Sequence, residues 1–139
     1  MKPKKVMLAV IPYKGKILAV SRKTNKTRFG LVGGKLEKGT YLDNLYREIY
    51  EETGLIREDF SQEFKIMKSI DDNGYECHTF LVLPNNSELV RNKLEKFQQL
   101  TPKENEGDII LLSPEELSHD AKSICANFNK ELFKHLGYL

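Results

Sequence analysis

Residues 33–55 read GGKLEKGTYLDNLYREIYEETGL, and near the end of that stretch stand three glutamates, Glu48, Glu51 and Glu52, with Arg47 beside the first. Their i, i+3, i+4 spacing places them within roughly a 100° arc of a helix. Like charges at such spacings destabilise a bare helix by a few tenths of a kcal/mol per pair. They also lie towards the carboxy-terminal half, where the helix dipole disfavours anions. A chain that keeps this arrangement needs a cation to make use of it. Hard oxygen ligands in a cluster suit Mg²⁺ or Mn²⁺. Read alone, the same residues also fit a solvated acidic face with Arg47 in a surface ion pair.

The flanks make the segment a helix with one buried side. Thr40 is placed to cap it, with Asp43 three residues on as a weak capping box. Leu42, Leu45, Tyr46 and Ile49 recur at helical spacing and form an apolar stripe. Gly54 suits a left-handed end. Ahead of the helix stands the glycine pair Gly33 and Gly34.

Around this helix the pattern alternates irregularly. KKVMLAVIPY is apolar enough for a central strand, KGK at 14–16 is a turn, and ILAVSRK returns as a second strand. Residues 23–28 read as a loop, and FGLV at 29–32 as a short strand running into the glycine pair. EFKIMKSI and YECHTFLVL flank DDNG, whose Asn73-Gly74 signals a hairpin. SELVRNKLEKFQQL has helical spacing at Val90, Leu94 and Phe97. DIILL is a strand, and SPEEL opens a helical turn with Ser113 as cap and Pro114 first. DAKSICANFNKELFKHLGYL reads as a carboxy-terminal amphipathic helix. The expectation is an α/β fold with a mixed central sheet covered by helices on both faces, as one domain over residues 1–139.

Charge is distributed unevenly. The net charge is only +2 over 139 residues, which excludes a strongly basic nucleic-acid coat. Yet no acid precedes Glu37, while Lys2, Lys4, Lys5, Lys14, Lys16, Arg22, Lys23, Lys26, Arg28 and Lys35 all do. A basic amino-terminal surface facing an acidic cluster suits a polyanion held with the help of a cation. Cys77 and Cys125 have no paired-ligand spacing and read as reduced thiols of a cytoplasmic protein. His78, His119 and His135 show no metal spacing and read as surface or half-buried residues. No signal peptide or membrane-spanning apolar run is visible.

The segment resembles the Nudix box, G-x5-E-x7-R-E-U-x-E-E-x-G-U with U aliphatic. Arg47, Glu48, Ile49, Glu51, Glu52, Gly54 and Leu55 match its closing half without a gap, and Gly33 or Gly34 matches the opening glycine. ILAVSRK, FGLVGGKLEKG and ENEGDIILLSPEEL resemble further parts of the family's domain, so the likeness covers most of the chain. It implies an α/β/α sandwich and Mg²⁺-dependent hydrolysis of a nucleoside diphosphate linked to another group. A nucleoside triphosphate, an oxidised one included, is the expected substrate. Dinucleoside polyphosphates, ADP-ribose and capped RNA stay open within the class. Capped RNA is the one nucleic-acid partner in view, and no membrane partner is expected.

By the same resemblance, Glu48 and Glu52 are the main metal ligands, Glu51 is a shared ligand or the group that deprotonates water, and the Gly33 carbonyl is a further ligand. Arg47 orients the glutamates. Glu106 corresponds to an additional carboxylate outside the box, with Glu104 competing. Arg22 matches a position that meets substrate phosphate, Phe29 a frequent aromatic with core packing as its alternative, and Gly34 the phosphate-facing loop. One departure stands out. The box is one residue short, so that its first glutamate falls on Thr40 or Gly39, and Glu37 is the nearest carboxylate that could pair with Arg47 instead. A non-catalytic nucleotide sensor on the same domain is the alternative of a different class. Such modules commonly lose box glutamates, whereas Glu48, Glu51 and Glu52 all persist here.

Overall fold

The computed structural model describes residues 4–21, 27–98 and 109–139. Within them a seven-stranded mixed sheet is built from β1 (Lys5–Val10), β2 (Pro12–Tyr13), β3 (Lys16–Ser21), β4 (Phe29–Lys35), β5 (Phe60–Ile70), β6 (Glu76–Pro84) and β7 (Ile109–Leu112). The order is β2-β3-β4-β1-β6-β5, with β7 paired to β3. β1 runs parallel to β6 and antiparallel to β4. Its position inside the sheet, with both faces covered, accounts for the near-continuous apolar run VMLAVI.

Two cores result from the period-two alternation along these strands. Met7, Ala9 and Ile11 of the β1 segment face one side and pack with Leu45, Tyr46 and Ile49 of α1 (Tyr41–Thr53) and with Val90 and Leu94 of α2 (Glu88–Gln98). Val10, Ile17 and Ala19 face the other side. They meet Leu117 of α3 (Pro114–Leu117) and Phe128, Leu132 and Phe133 of α4 (Ala126–His135). The molecule is thus an α/β/α sandwich with a mixed central sheet, as the alternating pattern implied. No helix among the described residues is long and apolar enough to cross a membrane.

Most caps and turns fall where the sequence puts them. The Thr40 hydroxyl accepts from the Asp43 N–H at 3.0 Å, and Gly54 ends α1 in the left-handed region. Ser113 and Glu116 form a reciprocal capping box on α3. Three expectations need correction. β4 does not stop at Val32 but continues through Gly33 and Gly34 to Lys35, because both glycines stay in register with β1, opposite Leu8 and Met7. The carboxy-terminal helix begins only at Ala126. The residues before it are drawn into pairing with the start of β4, where Phe29 N donates to Lys122 O and Ile124 N donates to Phe29 O. His78 is not a surface or half-buried group. It is 3% exposed, stacked on Tyr41 at 4.5 Å between ring centroids, and its Nε2 lies 2.8 Å from Glu76 Oε2.

The glycine step in β4 is sterically required. A Cβ on Gly33 would lie 2.0 Å from the Met7 carbonyl oxygen, and neither strand can retreat without breaking the pairing. Gly33→Ala is therefore expected to destabilise the fold by about 2–3 kcal/mol, the range of a forced overpacking. Urea unfolding checks this; Gly74→Ala, where no atom lies within 4 Å of the Cβ position but φ is +85°, gauges for comparison the cost of backbone strain without a clash.

Candidate active site

Helix α1 lies across the glycine step of β4, and this brings the acidic face of the helix onto bare backbone. The Gly33 N–H donates to Glu52 Oε1 at 2.9 Å. The Glu48 carboxyl sits so close over Gly34 that a Cβ there would meet its carboxyl carbon at 2.4 Å. Gly34 is the gap that receives Glu48, and Gly33 supplies the donor that fixes Glu52.

Arg47 occupies the centre of the carboxylates. Its Nη2 lies 3.3 Å from Glu37 Oε2 and 3.3 Å from Glu48 Oε1, while its Nε lies 3.7 Å from Glu51 Oε1. Glu37 thus stands where the shortened box lacks its own glutamate. Among the described residues no three His, Cys, Asp or Glu side chains converge as they stand at metal-holding spacing. Glu48 and Glu51 are turned to Arg47, and Glu52 to the Gly33 N–H.

Burial raises the Glu52 carboxyl to about 7. The Gly33 N–H opposes that rise, and the Glu48 and Glu51 charges add to it. Glu48 is also raised, first by burial, with the Arg47 hydrogen bond working against it and the Glu51 charge adding to it. Both shifts mark anionic sites whose neighbourhood does not yet neutralise them.

The loop between β4 and α1 is held by a residue that the helical pattern does not single out. Asn44 is fully buried. Its Oδ1 accepts from Glu37 N at 2.9 Å, and its Nδ2 reaches the carbonyls of Glu37, Lys38 and Thr40 at 3.4, 3.2 and 2.8 Å. One amide therefore fixes the loop that carries Glu37. The sequence signal is faint: an asparagine beside Leu45 on the face that otherwise carries the apolar stripe.

On the opposite face of the sheet the same glycines border a cleft of about 540 Å³. Val6, Leu8 and Leu31 form its floor with Gly33. Ile124, Cys125, Phe128 and Asn129 close it from the α4 side, and Asp71, Asn73 and Tyr75 of the β5–β6 turn stand at its end. Lys35 lines it beside the glycine pair. None of these residues except the glycines was singled out as a site from sequence. They come from strands, a turn and a helix far apart in the chain, with no shared motif. Phe29, by contrast, is 4% exposed and packs in the core without lining the cleft. Arg22, Glu104 and Glu106 lie outside the described residues.

Comparisons with known proteins agree with this fold. A family model described as the NUDIX domain matches residues 1–135. Among solved structures, a NUDIX hydrolase from Nitrosomonas europaea superposes with a TM-score of 0.67 at 19% identity, covering 98% of this chain and 89% of that one. An ADP-ribose pyrophosphatase from Streptococcus suis gives 0.62 at 17% identity, with 98% and 91% covered. A MutT protein from Methanosarcina mazei gives 0.61 at 17% identity, with 98% and 96% covered. At these identities the likeness is one of fold. No curated protein sequence matches the chain.

Two outcomes are expected from the site as built. Asn44→Ala removes every side-chain bond to the loop and should cost about 2–4 kcal/mol of stability in urea unfolding, because the loop carbonyls and the Glu37 N–H lose their partners. The second concerns pH. Glu52 is raised in the folded state from 4.5 to about 7, so between those values the folded chain binds more proton than the unfolded one. Its contribution to stability is complete below about pH 4.5 and is lost as pH rises through about 7. Melting in chelator should therefore fall across that window by the equivalent of roughly 2 kcal/mol, and Glu52→Gln should flatten the fall.

Proposed function

We propose a nucleoside-triphosphate pyrophosphohydrolase, and the premise is that the chain belongs to the NUDIX domain family. Members of that family generally use divalent cations and act on nucleotide small molecules. The observation that carries the finer reading is the shared glycine step. One compartment, within the size range of small-molecule sites, is lined by Gly33, Gly34 and Lys35, and the same two glycines meet Glu52 and Glu48 on the α1 face. A nucleoside in the cleft would pass its phosphates over that step.

The donor set fits a hard divalent cation. Glu48, Glu51 and Glu52 are three carboxylates on one helix turn, and burial raises the carboxyls of both Glu48 and Glu52, the latter to about 7, so a cation beside them would favour their charged forms. Glu48 and Glu52 would hold Mg²⁺ or Mn²⁺, with the Gly33 carbonyl and Glu51 in reach. When bound, the cation would neutralise charge on the phosphoryl oxygens and orient the attacking water. The protein's own groups do the rest. Glu51 has 57% of its side chain exposed, so it is open to accept a proton from water. Arg47 holds Glu48 and Glu51 towards one another and takes up Glu37 as its outer partner. Gly33 N–H keeps Glu52 directed at the step.

The retention of Arg47 with all three glutamates favours an enzyme over a nucleotide sensor. A panel of nucleoside triphosphates, oxidised ones included, with ADP-ribose, a dinucleoside polyphosphate and capped RNA as further arms, decides the substrate. Released phosphate or pyrophosphate in Mg²⁺ is the readout. Pyrophosphate from a triphosphate supports the proposal, whereas turnover confined to another arm overturns the substrate and no turnover overturns the activity.

Two variant experiments follow. Glu52→Gln removes one charge and keeps shape, and it should lower kcat by about a thousandfold or more, since metal-based stabilisation is worth several kcal/mol. Near-normal rates at saturating Mg²⁺ would refute its role. Glu37→Gln should weaken Mg²⁺ activation about tenfold, as losing a group that orients a ligand does, while the exposed Glu58→Gln leaves it unchanged. Because the Glu37 side chain is 69% exposed, neither change should move the melting temperature appreciably.

A further inference from the structure

We propose that Asp72 is a positioning residue for the cleft: from the tip of the β5–β6 turn it caps helix α4 and holds that side of the cleft in place over the sheet. The inference rests on the reading of the cleft as the nucleoside compartment.

Helix α4 has no cap of its own. Cys125 stands at the capping position and makes no side-chain hydrogen bond there. The first N–H groups of any helix lack internal partners. Here Phe128 N donates to Asp72 Oδ1 at 3.0 Å, across 56 residues of chain. A carboxylate at this end also meets the favourable pole of the helix dipole. Beside it, Asn73 Nδ2 reaches Cys125 Sγ at 3.6 Å.

The turn that presents Asp72 is itself braced. Asp71 Oδ1 accepts from Asn73 N and Tyr75 N, both at 2.9 Å. Asp71 N donates to Tyr75 O at 3.0 Å, and Gly74 N donates to Asp71 O at 3.1 Å. Such a turn cannot easily follow the helix if the helix shifts. On the inner side, Asn129 Nδ2 donates to Leu117 O at 3.0 Å and to Ser123 Oγ at 3.1 Å, which ties α4 to α3. The amino-terminal turn of α4 is therefore held between α3 on one side and Asp72 on the other.

Phe128 is the residue where both roles meet, because it receives the cap and lines the cleft. Loss of a cap changes a helix-end equilibrium by typically about fivefold, and up to about thirtyfold. A ligand that needs the closed arrangement binds more weakly in proportion to the closed fraction. The carboxylates sit on α1, packed against the opposite face of the sheet, so the chemical step should be spared.

The test uses the full chain and the triphosphate that the wild type hydrolyses fastest in the panel above. Asp72→Ala should raise KM at least fivefold with kcat within twofold. Asp72→Asn should restore KM, because asparagine caps as well as aspartate. Ser87→Ala is the control. It removes the hydroxyl that accepts from Val90 N at 3.2 Å at the start of α2. It should lower the melting temperature and leave KM unchanged. An unaltered KM in Asp72→Ala, an equal rise in Asp72→Asn, or an equal rise in Ser87→Ala would overturn the inference. If the wild type hydrolyses no nucleotide, the functional reading fails by itself. The positioning role is then decided by amide exchange in α4. Faster exchange at Phe128 in Asp72→Ala, restored in Asp72→Asn, supports it, and unchanged exchange overturns it.

Discussion

The close approach of β4 to β1 at Gly33, and of α1 to β4 at Gly34, is the contact on which the site depends. A side chain at either position would strike the Met7 carbonyl or the Glu48 carboxyl. Because neither carries one, the helix can lay its acidic face directly on the strand, and a strand N–H can bond Glu52. The same bare backbone is open to the cleft on the other face. Packing and function are therefore set by one steric fact. The glycines do not serve as a flexible loop. They are ordinary members of a strand, selected because nothing larger fits.

Electrostatics explains why this arrangement is tolerable before any cation arrives. Three carboxylates, those of Glu37, Glu48 and Glu51, surround a single guanidinium. Arg47 stands in part where a divalent charge would act, and it leaves Glu52 beyond its reach. That carboxyl is the one most shifted, towards its protonated form. The cluster thus has a fixed cation at one edge and, at the other, a buried carboxyl that holds its proton more tightly than usual.

Much of this was legible in the sequence because it is periodic or local. The stripe Leu45, Tyr46 and Ile49, the cap at Thr40, the left-handed Gly54 and the capping box at Ser113 all follow from spacings of a few residues. The apolar runs of β1 and β3 foretold two strands of a central sheet. What escaped was governed by contacts outside any local window. Asp120–Cys125 has helical spacing with the residues after it, yet pairing with Phe29 claims its backbone. His78 reads as a polar strand residue until Tyr41 and Glu76 enclose it. Asn44 sits in a helical face as a break in the apolar pattern, and only the loop folded over it shows why.

The two halves of the site differ in the same respect. The carboxylate half is built within about one helix and its preceding strand, with Gly33 and Glu52 only 19 residues apart. Its spacing is preserved in the chain, and so a motif can record it. The cleft half joins β1 and β4 to a hairpin tip and a helix 56 residues beyond it. No fixed spacing relates those elements, and each can change length independently so long as the walls still meet. Cation chemistry is consequently written in a compact signature, while the shape that selects a substrate is written in packing. The structures that share this sandwich at 17% identity to the chain accordingly bear names as different as ADP-ribose pyrophosphatase and MutT. Here one contact that joins hairpin tip and helix is a hydrogen bond, from Phe128 N on the α4 wall to the Asp72 carboxylate, and nothing in the local sequence of either element announces it.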